Sequence, residues 1–415
     1  MVKRIVVLGG GAGGTLSANR LHRQLGAEAD IVVVDADDRH VYQPGLLFVP
    51  FGMARPADLV RSRSAQLRPG VGFRQAVVQQ VDLEANEVGL ADGTSLAYDV
   101  LVVASGAVLL PEETEGLTGP GWGDTVHTFY SLEGAALLSS ALARFEGGRV
   151  VVAMIDMPIK CPVAPLEFAL LADSYFSRRH IRDKVSLTYV TSLDGAFTKP
   201  VCNRQLSGLL ADKGIDVVTE FNTGTVDGEG RRLISYDDRE VPFDLAVVVP
   251  LHGGAAYVGR SPGLGDELGF IPADEATLQA KAAPNVFVIG DAAGIAATKA
   301  GSVAHFEGET LVANVGHYLR GEPLAARFDG HTNCFIESGH RRALLIDYNN
   351  ETEPLPGHFP GPIGLPLLKE SRLNHLGKLA FEHLYWRVLL PGRDVPGVGA
   401  AMPRAGKRPE AAITT

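Results

Sequence analysis

The stretch Gly9-Gly10-Gly11-Ala12-Gly13-Gly14 constrains this chain more than any other feature. It carries the G-x-G-x-x-G spacing directly after the β-branched run at 5–8 and opens a helical pattern over 14–25. In that context the first glycine makes a tight turn and the second lets a pyrophosphate approach the backbone. The third packs helix against strand. Gly9, Gly11, Ala12 and Gly14 are the candidate cradle. Asp35 follows the next apolar run, 31–34, where its carboxylate can accept from both hydroxyls of an unphosphorylated ribose. A merely structural glycine turn is the competing reading, and the strand, helix and acid together argue against it.

Short continuous apolar runs recur at 5–8, 31–34, 100–103, 150–155, 186–190, 245–249 and 286–289. Such runs suit strands covered on both faces. Helical patterns at 14–25, 132–145, 165–179 and 203–213 alternate with them and predict an α/β fold with parallel sheets. Tyr98-Asp99-Val100-Leu101-Val102-Val103 is echoed by Phe243-Asp244-Leu245-Ala246-Val247-Val248, each after a turn-rich stretch. The expected architecture is two Rossmann-like dinucleotide-binding domains, the second inserted in the first. The first domain covers 1–109 and resumes over 283–330. The inserted domain covers 110–282 and carries Cys161. A C-terminal region, 331–415, carries Cys334 and an apolar-rich helix at 373–390; it is expected to be α-rich and membrane-associating, with a loose tail from Ala400.

Composition removes several functions. A net charge of −10 leaves no basic face for releasing counterions from nucleic acid. Three cysteines are too few for a disulfide scaffold. No His/Cys cluster has metal spacing, so no metal is expected. His40, His252 and His305 read as ordinary structural histidines. The N-terminus reads as a strand rather than a signal peptide, and no uncharged apolar run is long enough to span a membrane.

Ala104-Ser105-Gly106 ends one predicted strand, and Gly290-Asp291 ends another before a helix. With the glycine turn, this trio resembles the FAD-binding signature of the two-dinucleotide-domain flavoprotein disulfide reductases. The resemblance implies FAD, with Asp291 holding the ribitol. After the run at 150–153 the chain reads Met154-Ile155-Asp156-Met157-Pro158-Ile159-Lys160-Cys161-Pro162, with no glycine where a second pyrophosphate must approach. The inserted domain is therefore expected to have lost nicotinamide binding. Cys161, beside Lys160 and ahead of a helix, is expected to be a nucleophile of lowered pKa.

Over essentially its whole length the chain is similar to the sulfide:quinone oxidoreductases. The motifs are Arg39-His40-Val41-Tyr42-Gln43-Pro44-Gly45, Ile159-Lys160-Cys161-Pro162, Lys299-Ala300-Gly301-Ser302-Val303-Ala304-His305 and Cys334-Phe335-Ile336-Glu337-Ser338-Gly339. The resemblance implies that Cys161 and Cys334 flank the flavin and form the disulfide that sulfide attacks. Electrons then pass through noncovalent FAD to a membrane quinone. Tyr42, Gln43 and Lys299 are implied near the ring, and Val78 completes the cofactor-binding candidates. The family's usual third cysteine, upstream of the Cys161 position, is missing, and Cys202 lies in no matching motif. The helix at 373–390, with Tyr385 and Trp386, reads either as packed on the core or as an interfacial anchor. The expected partners are sulfide and a quinone at the cytoplasmic membrane face, in a chain free to form homo-oligomers. The rival readings are a type-II NADH dehydrogenase, a flavocytochrome c-like sulfide dehydrogenase, and a redox-sensing or sulfur-carrying FAD protein.

Overall fold

A computed structural model describes residues 2–395 and 397–408. Two five-stranded parallel sheets organise it. In the first, the strand order is Val286–Val288, Val100–Val103, Lys3–Leu8, Ala29–Asp35, Gly72–Gln75. In the second it is Val126–His127, Leu245–Val249, Gly148–Met154, Val185–Thr191, Ile215–Val218. The chain leaves the first sheet after Val103, builds the second, and returns at Val286.

Side-chain alternation explains why these strands read as continuous apolar runs. In the first sheet, Ile5, Val7, Ile31, Val33 and Val102 pack against Leu16 and Leu21 of the helix Ala12–Leu25 and against Phe306 and Leu311 of the helix Gly301–Leu319. Val6, Leu8, Val34 and Val103 face the other way, onto Val81, Val88 and Leu90. Those three belong to an antiparallel meander, Val78–Asp82, Glu87–Leu90 and Ser95–Ala97. The second sheet repeats the plan. Val150, Val152 and Met154 face the helix Ala164–Arg178, while Val151, Ala153 and Val248 face the meander of Thr223–Asp227, Arg232–Ser235 and Glu240–Pro242. The turn-rich stretches that precede the two echoed motifs are these meanders.

The C-terminal region departs from the α-rich expectation. It begins with an antiparallel hairpin, Thr332–Gly339 and Arg342–Tyr348, and continues with a second, Gly357–Phe359 and Leu365–Leu367. Only then comes the helix Arg372–Leu384, closed by a π-turn, Tyr385–Leu389. Leu344, Leu345 and Ile346 are β-region residues buried on both sides of the first hairpin, a run too short to reveal helix or strand by its period. The expected loose tail is packed through Arg408. Met402 is buried, and Lys407 pairs with Asp347 beneath the surface. Residues 409–415 lie outside the described residues. Among the described residues, no helix is long and apolar enough to cross a membrane.

The turn after the first strand is sterically exacting. Gly9 sits at φ +98°, and a Cβ on Gly14 would lie 1.8 Å from the Gly9 carbonyl oxygen. Gly14→Ala is expected to destabilise the protein by about 1–3 kcal/mol, because the colliding atom is backbone and cannot step aside. A lower urea midpoint than wild type checks this; an unchanged midpoint refutes it.

Candidate active site

The strands of both sheets deliver their C-terminal turns to one cleft, the usual ligand position in open parallel sheets. The cavity measures about 380 Å³. The glycine turn, Ala104-Ser105-Gly106, Gly290-Asp291 and the Cys161 loop all line it. Two helices end on it with their N-termini uncapped by any side chain. Ala12–Leu25 begins at Gly11 and Gly301–Leu319 at Ala300, and neither has an acid in its first turn. Free backbone N–H groups at such ends favour anions and developing negative charge. A third helix, Ala164–Arg178, presents Ala164 to the same space.

Most of the residues singled out in the sequence meet here. Gly9, Gly11, Ala12, Asp35, Gln43, Ala104, Ser105, Gly106, Cys161, Asp291 and Lys299 line the cavity. Gly14 stands behind it as a packing residue. Tyr42 lies just outside the lining, buried against Tyr385 at a ring separation of 5.0 Å. Val78 opens the first meander, away from the lining. Cys334 rides on the first C-terminal hairpin and packs, with Cys161, against the same apolar cluster. Cys202 is buried in the helix Pro200–Asp212. All three cysteines are free thiols.

The charges are placed with care. Asp35 Oδ2 accepts the Gly10 N–H at 2.7 Å and meets Arg63 Nη1 at 3.0 Å, so it braces the glycine turn as well as facing the cavity. Lys299 donates to the carbonyls of Asp291 (2.8 Å) and Ala293 (2.9 Å) and lies 4.1 Å above the Phe270 ring. Burial raises the Asp291 carboxyl, and Lys299 and Lys160 oppose that rise. Gly290 donates its N–H to Glu307 at 2.6 Å. His40 is fixed between the Gly10 carbonyl (3.0 Å) and the Tyr385 hydroxyl (2.6 Å), and burial lowers it to about 4. Burial also holds His252 at about 4 and His305 at about 3, so all three stay neutral at pH 7.

One expectation is corrected and one open alternative is decided. Cys161 was expected to have a lowered pKa from Lys160 and the helix end. The thiol is instead pushed up, first by desolvation and then by Glu167 and Cys334, with Lys378 opposing. Cys334 is pushed up to about 12 by desolvation and Glu167, again against Lys378. Lys160 serves Asp291 instead. Of the two readings open for Tyr385 and Trp386, packing on the core is the one found. Both are buried, and Arg61 lies 4.2 Å from the Trp386 ring centre.

The loop holding Cys161 is constrained. Cys161 has φ +50°, an unfavourable region for a residue with a Cβ. Its N–H donates to the Lys299 carbonyl at 2.6 Å, and Tyr130 donates to its carbonyl at 3.1 Å. The sequence reading missed both Glu167 and Lys378 as residues of this site. Glu167 follows Cys161 by six residues on a predicted helix, and that spacing from a nucleophile was the available clue.

The cleft, its two uncapped helix ends and its acidic brace at Asp35 define a dinucleotide-dependent oxidoreductase. Residues 3–153 match the pyridine nucleotide-disulphide oxidoreductase family. The chain is 26% identical to the mitochondrial sulfide:quinone oxidoreductase of Mus musculus, covering 94% of this chain and 86% of that one. It is 30% identical to a demethylphylloquinone reductase of Synechocystis, covering 70% and 72%. Among solved structures, the sulfide:quinone oxidoreductase of Aquifex aeolicus superposes with a TM-score of 0.77 at 21% identity, over 94% and 92% of the two chains. The chain belongs to the pyridine nucleotide-disulphide oxidoreductase family and groups within it with the sulfide:quinone oxidoreductases.

Glu307 gives a pH test of this site. Burial raises its carboxyl from 4.5 to about 7. The folded state therefore holds a proton that the unfolded chain releases earlier. Stability is expected to fall as pH climbs from 4.5 through 7, by about 3 kcal/mol for this group alone. Glu307→Gln keeps an acceptor for Gly290 and removes the titration. Its advantage over wild type in urea midpoint should be larger at pH 8 than at pH 5, and an equal difference at both pH values counts against the assignment.

Proposed function

We propose that the protein is an FAD-dependent sulfide:quinone oxidoreductase working through Cys161 and Cys334. One observation carries the reading. A strained, pinned cysteine occupies the turn after Gly148–Met154, where a nicotinamide site needs glycine, and it faces the flavin-type cleft rather than a second nucleotide site. Residues 1–109 and 283–330 are read as one dinucleotide domain, with 110–282 inserted. Continuity of the first sheet across that insertion supports the division.

The residues present fit FAD. The Gly11 position has no atom within 4 Å of an added Cβ, an open cradle beside an uncapped helix end. Gly9, Gly11, Ala12 and Asp35 would hold the adenosine and pyrophosphate, and Asp291 the ribitol. When bound, FAD supplies two-electron acceptance and its return to quinone. The chain supplies the rest. Lys299 and the N-terminus at Gly301 stabilise negative charge in the cleft. Cys161 and Cys334 bind the sulfur covalently, hydrosulfide attacking their disulfide and leaving a persulfide on one and a thiolate on the other. Lys378 offsets the charge that appears on the thiolate.

The quinone is read as entering past Phe381 and Lys378, which line the cavity from the helix Arg372–Leu384. That helix turns Leu373, Leu376 and Leu379 outward, and Ile363 nearby is 96% exposed. We read this apolar face as the contact with a membrane surface.

The function is tested by anaerobic absorbance of the purified flavoprotein. Sulfide should bleach the flavin and a quinone analogue restore it. Bleaching by NADH and not by sulfide favours the type-II dehydrogenase reading. Cys161→Ser and Cys334→Ser should each slow sulfide-driven bleaching by roughly 10³-fold or more while keeping FAD. Wild-type bleaching in either variant rejects the cysteine mechanism.

A further inference from the structure

We infer that Lys160 is a cofactor-binding residue, contributed by the second sheet to the cleft, whose ammonium meets the negative charge that FAD gains on reduction. The inference rests on FAD binding and not on sulfide as the electron donor.

Lys160 follows the strand Gly148–Met154, in the turn where a nicotinamide domain carries glycine. A lysine there keeps a pyrophosphate from the backbone and has to place its four-carbon stem elsewhere. The side chain lines the cavity that also holds the first glycine turn and Asp291. Its backbone is fixed on both sides. Ile159 before it is buried, and the Cys161 N–H after it is bonded to the Lys299 carbonyl at 2.6 Å. The ammonium itself has no hydrogen bond or ion pair with any of the described residues.

The charges around it do not balance. Asp291 is the acid that acts on Lys160, and Lys299 acts on the same carboxylate. Lys299 draws further on Glu307 and Asp266 and donates to two carbonyls. Glu307, raised to about 7 by burial, carries at most about half a charge at neutral pH. Lys160 has none of that support. On its other side lies His252, which burial and Lys160 together lower to about 4. His252 donates its Nδ1 proton to the Pro250 carbonyl at 2.9 Å, so Nε2 is a bare lone pair, buried and without a partner. Two ammoniums therefore share one carboxylate, and positive charge is left over. Burial lowers Lys160, and only Asp291 opposes it. Ordering a lysine side chain costs up to about 2 kcal/mol in rotamer freedom, and desolvating its charge costs more. Nothing in the chain offsets that cost.

Reduction of FAD brings the missing partner. Two electrons and one proton entering the cofactor leave it one unit of charge more negative. A surplus ammonium in the same cleft binds that form more tightly than the oxidised one. The ratio of the two affinities is a shift in midpoint potential. The arriving charge also holds the proton on Lys160 against the effect of burial, so the two events reinforce each other. In this way the turn that in a nicotinamide domain would grip a second dinucleotide sets the potential of the first.

The two-electron midpoint of the flavin in the holoenzyme tests this. It is measured at pH 7.5 against a reference dye, with xanthine and xanthine oxidase as the reductant. Lys160→Met should lower the equilibrium constant for reduction by about 10–100-fold, the usual scale of a charged hydrogen bond, or about 30–60 mV for two electrons. Lys160→Arg keeps the charge and should stay within threefold of wild type. A merely structural role, in which the loop loosens, weakens oxidised and reduced FAD alike and leaves the midpoint in place, since the midpoint reads only their ratio. If Lys160→Met does not retain FAD, Lys160→Gln decides by the same measurement. An equilibrium constant within twofold of wild type in the decisive variant overturns the inference, and so does an equal fall in Lys160→Arg. Failure of sulfide to bleach the wild-type flavin would remove the sulfide reading and leave this one standing, because no sulfide enters the measurement.

Discussion

Backbone amides left free at the ends of helices are the constraint from which the rest of the cleft follows. The helices Ala12–Leu25 and Gly301–Leu319 have no side-chain cap. Their first-turn N–H groups need an outside acceptor, and a helix end without one is a cost. The same two helices cover one face of the first sheet, so their positions are set by apolar packing and cannot shift to find a partner. An anionic dinucleotide satisfies both ends at once. Gly9 and Gly14 are the steric terms of that arrangement, since only hydrogen fits between strand, turn and helix.

Each cation near the cleft has its own set of partners, with Asp291 shared between two of them. Lys299 bonds two backbone carbonyls, lies over an aromatic face and turns its charge toward Asp291. Lys160 answers Asp291. Lys378 answers Glu167 and, directly, both cysteines. Burial makes each pairing strong and each mismatch expensive. The cysteines therefore sit in a net environment that favours the thiol, contrary to the common picture of an activated thiolate at a helix end. In the proposed mechanism the attacking hydrosulfide would bring its own negative charge to such a pair, so no resting thiolate would be needed. Proton management then becomes the problem the cleft must solve.

Much of this was legible in the sequence, and the limits have physical causes. Strands buried on both faces announce themselves as β-branched runs, so both sheets were readable from residues such as Val100 and Val247. The glycine turn, Asp291 and the Cys161 loop are local motifs and were readable too. Cys334 was placed near Cys161 only through family resemblance, because a hairpin 173 residues downstream (334 − 161) leaves no local trace of its partner. The pKa of Cys161 was misjudged because the sequence shows Lys160 as a neighbour and hides its direction. Adjacent residues diverge in a loop, while Glu167 and Lys378 converge from two helices. Val78 and Tyr42 show the same limit from the other side, since resemblance locates a segment but not which side chain it turns into the cleft.

The C-terminal helix joins the two halves of the problem. Its inner face brings His375, Lys378 and, through the π-turn, Tyr385 to buried positions beside the cleft. Its outer face presents Leu373, Leu376 and Leu379. A helix of 13 residues is too short to span a bilayer, whose core needs about 20. It is long enough to place an apolar stripe against a surface while keeping an ammonium at the cavity. The polar face is fixed by hydrogen bonds: Tyr385 bonds His40, and His40 bonds the carbonyl of the glycine turn. Since a carbonyl only accepts, His40 carries its proton on Nδ1 and Tyr385 must donate to Nε2. The helix is thereby tied to the cradle of the first sheet, so that the cavity wall at Lys378 and Phe381 and the glycine turn are one rigid construction. The outer face is thereby coupled to the glycine turn as well as to Lys378, and the two cannot be positioned independently.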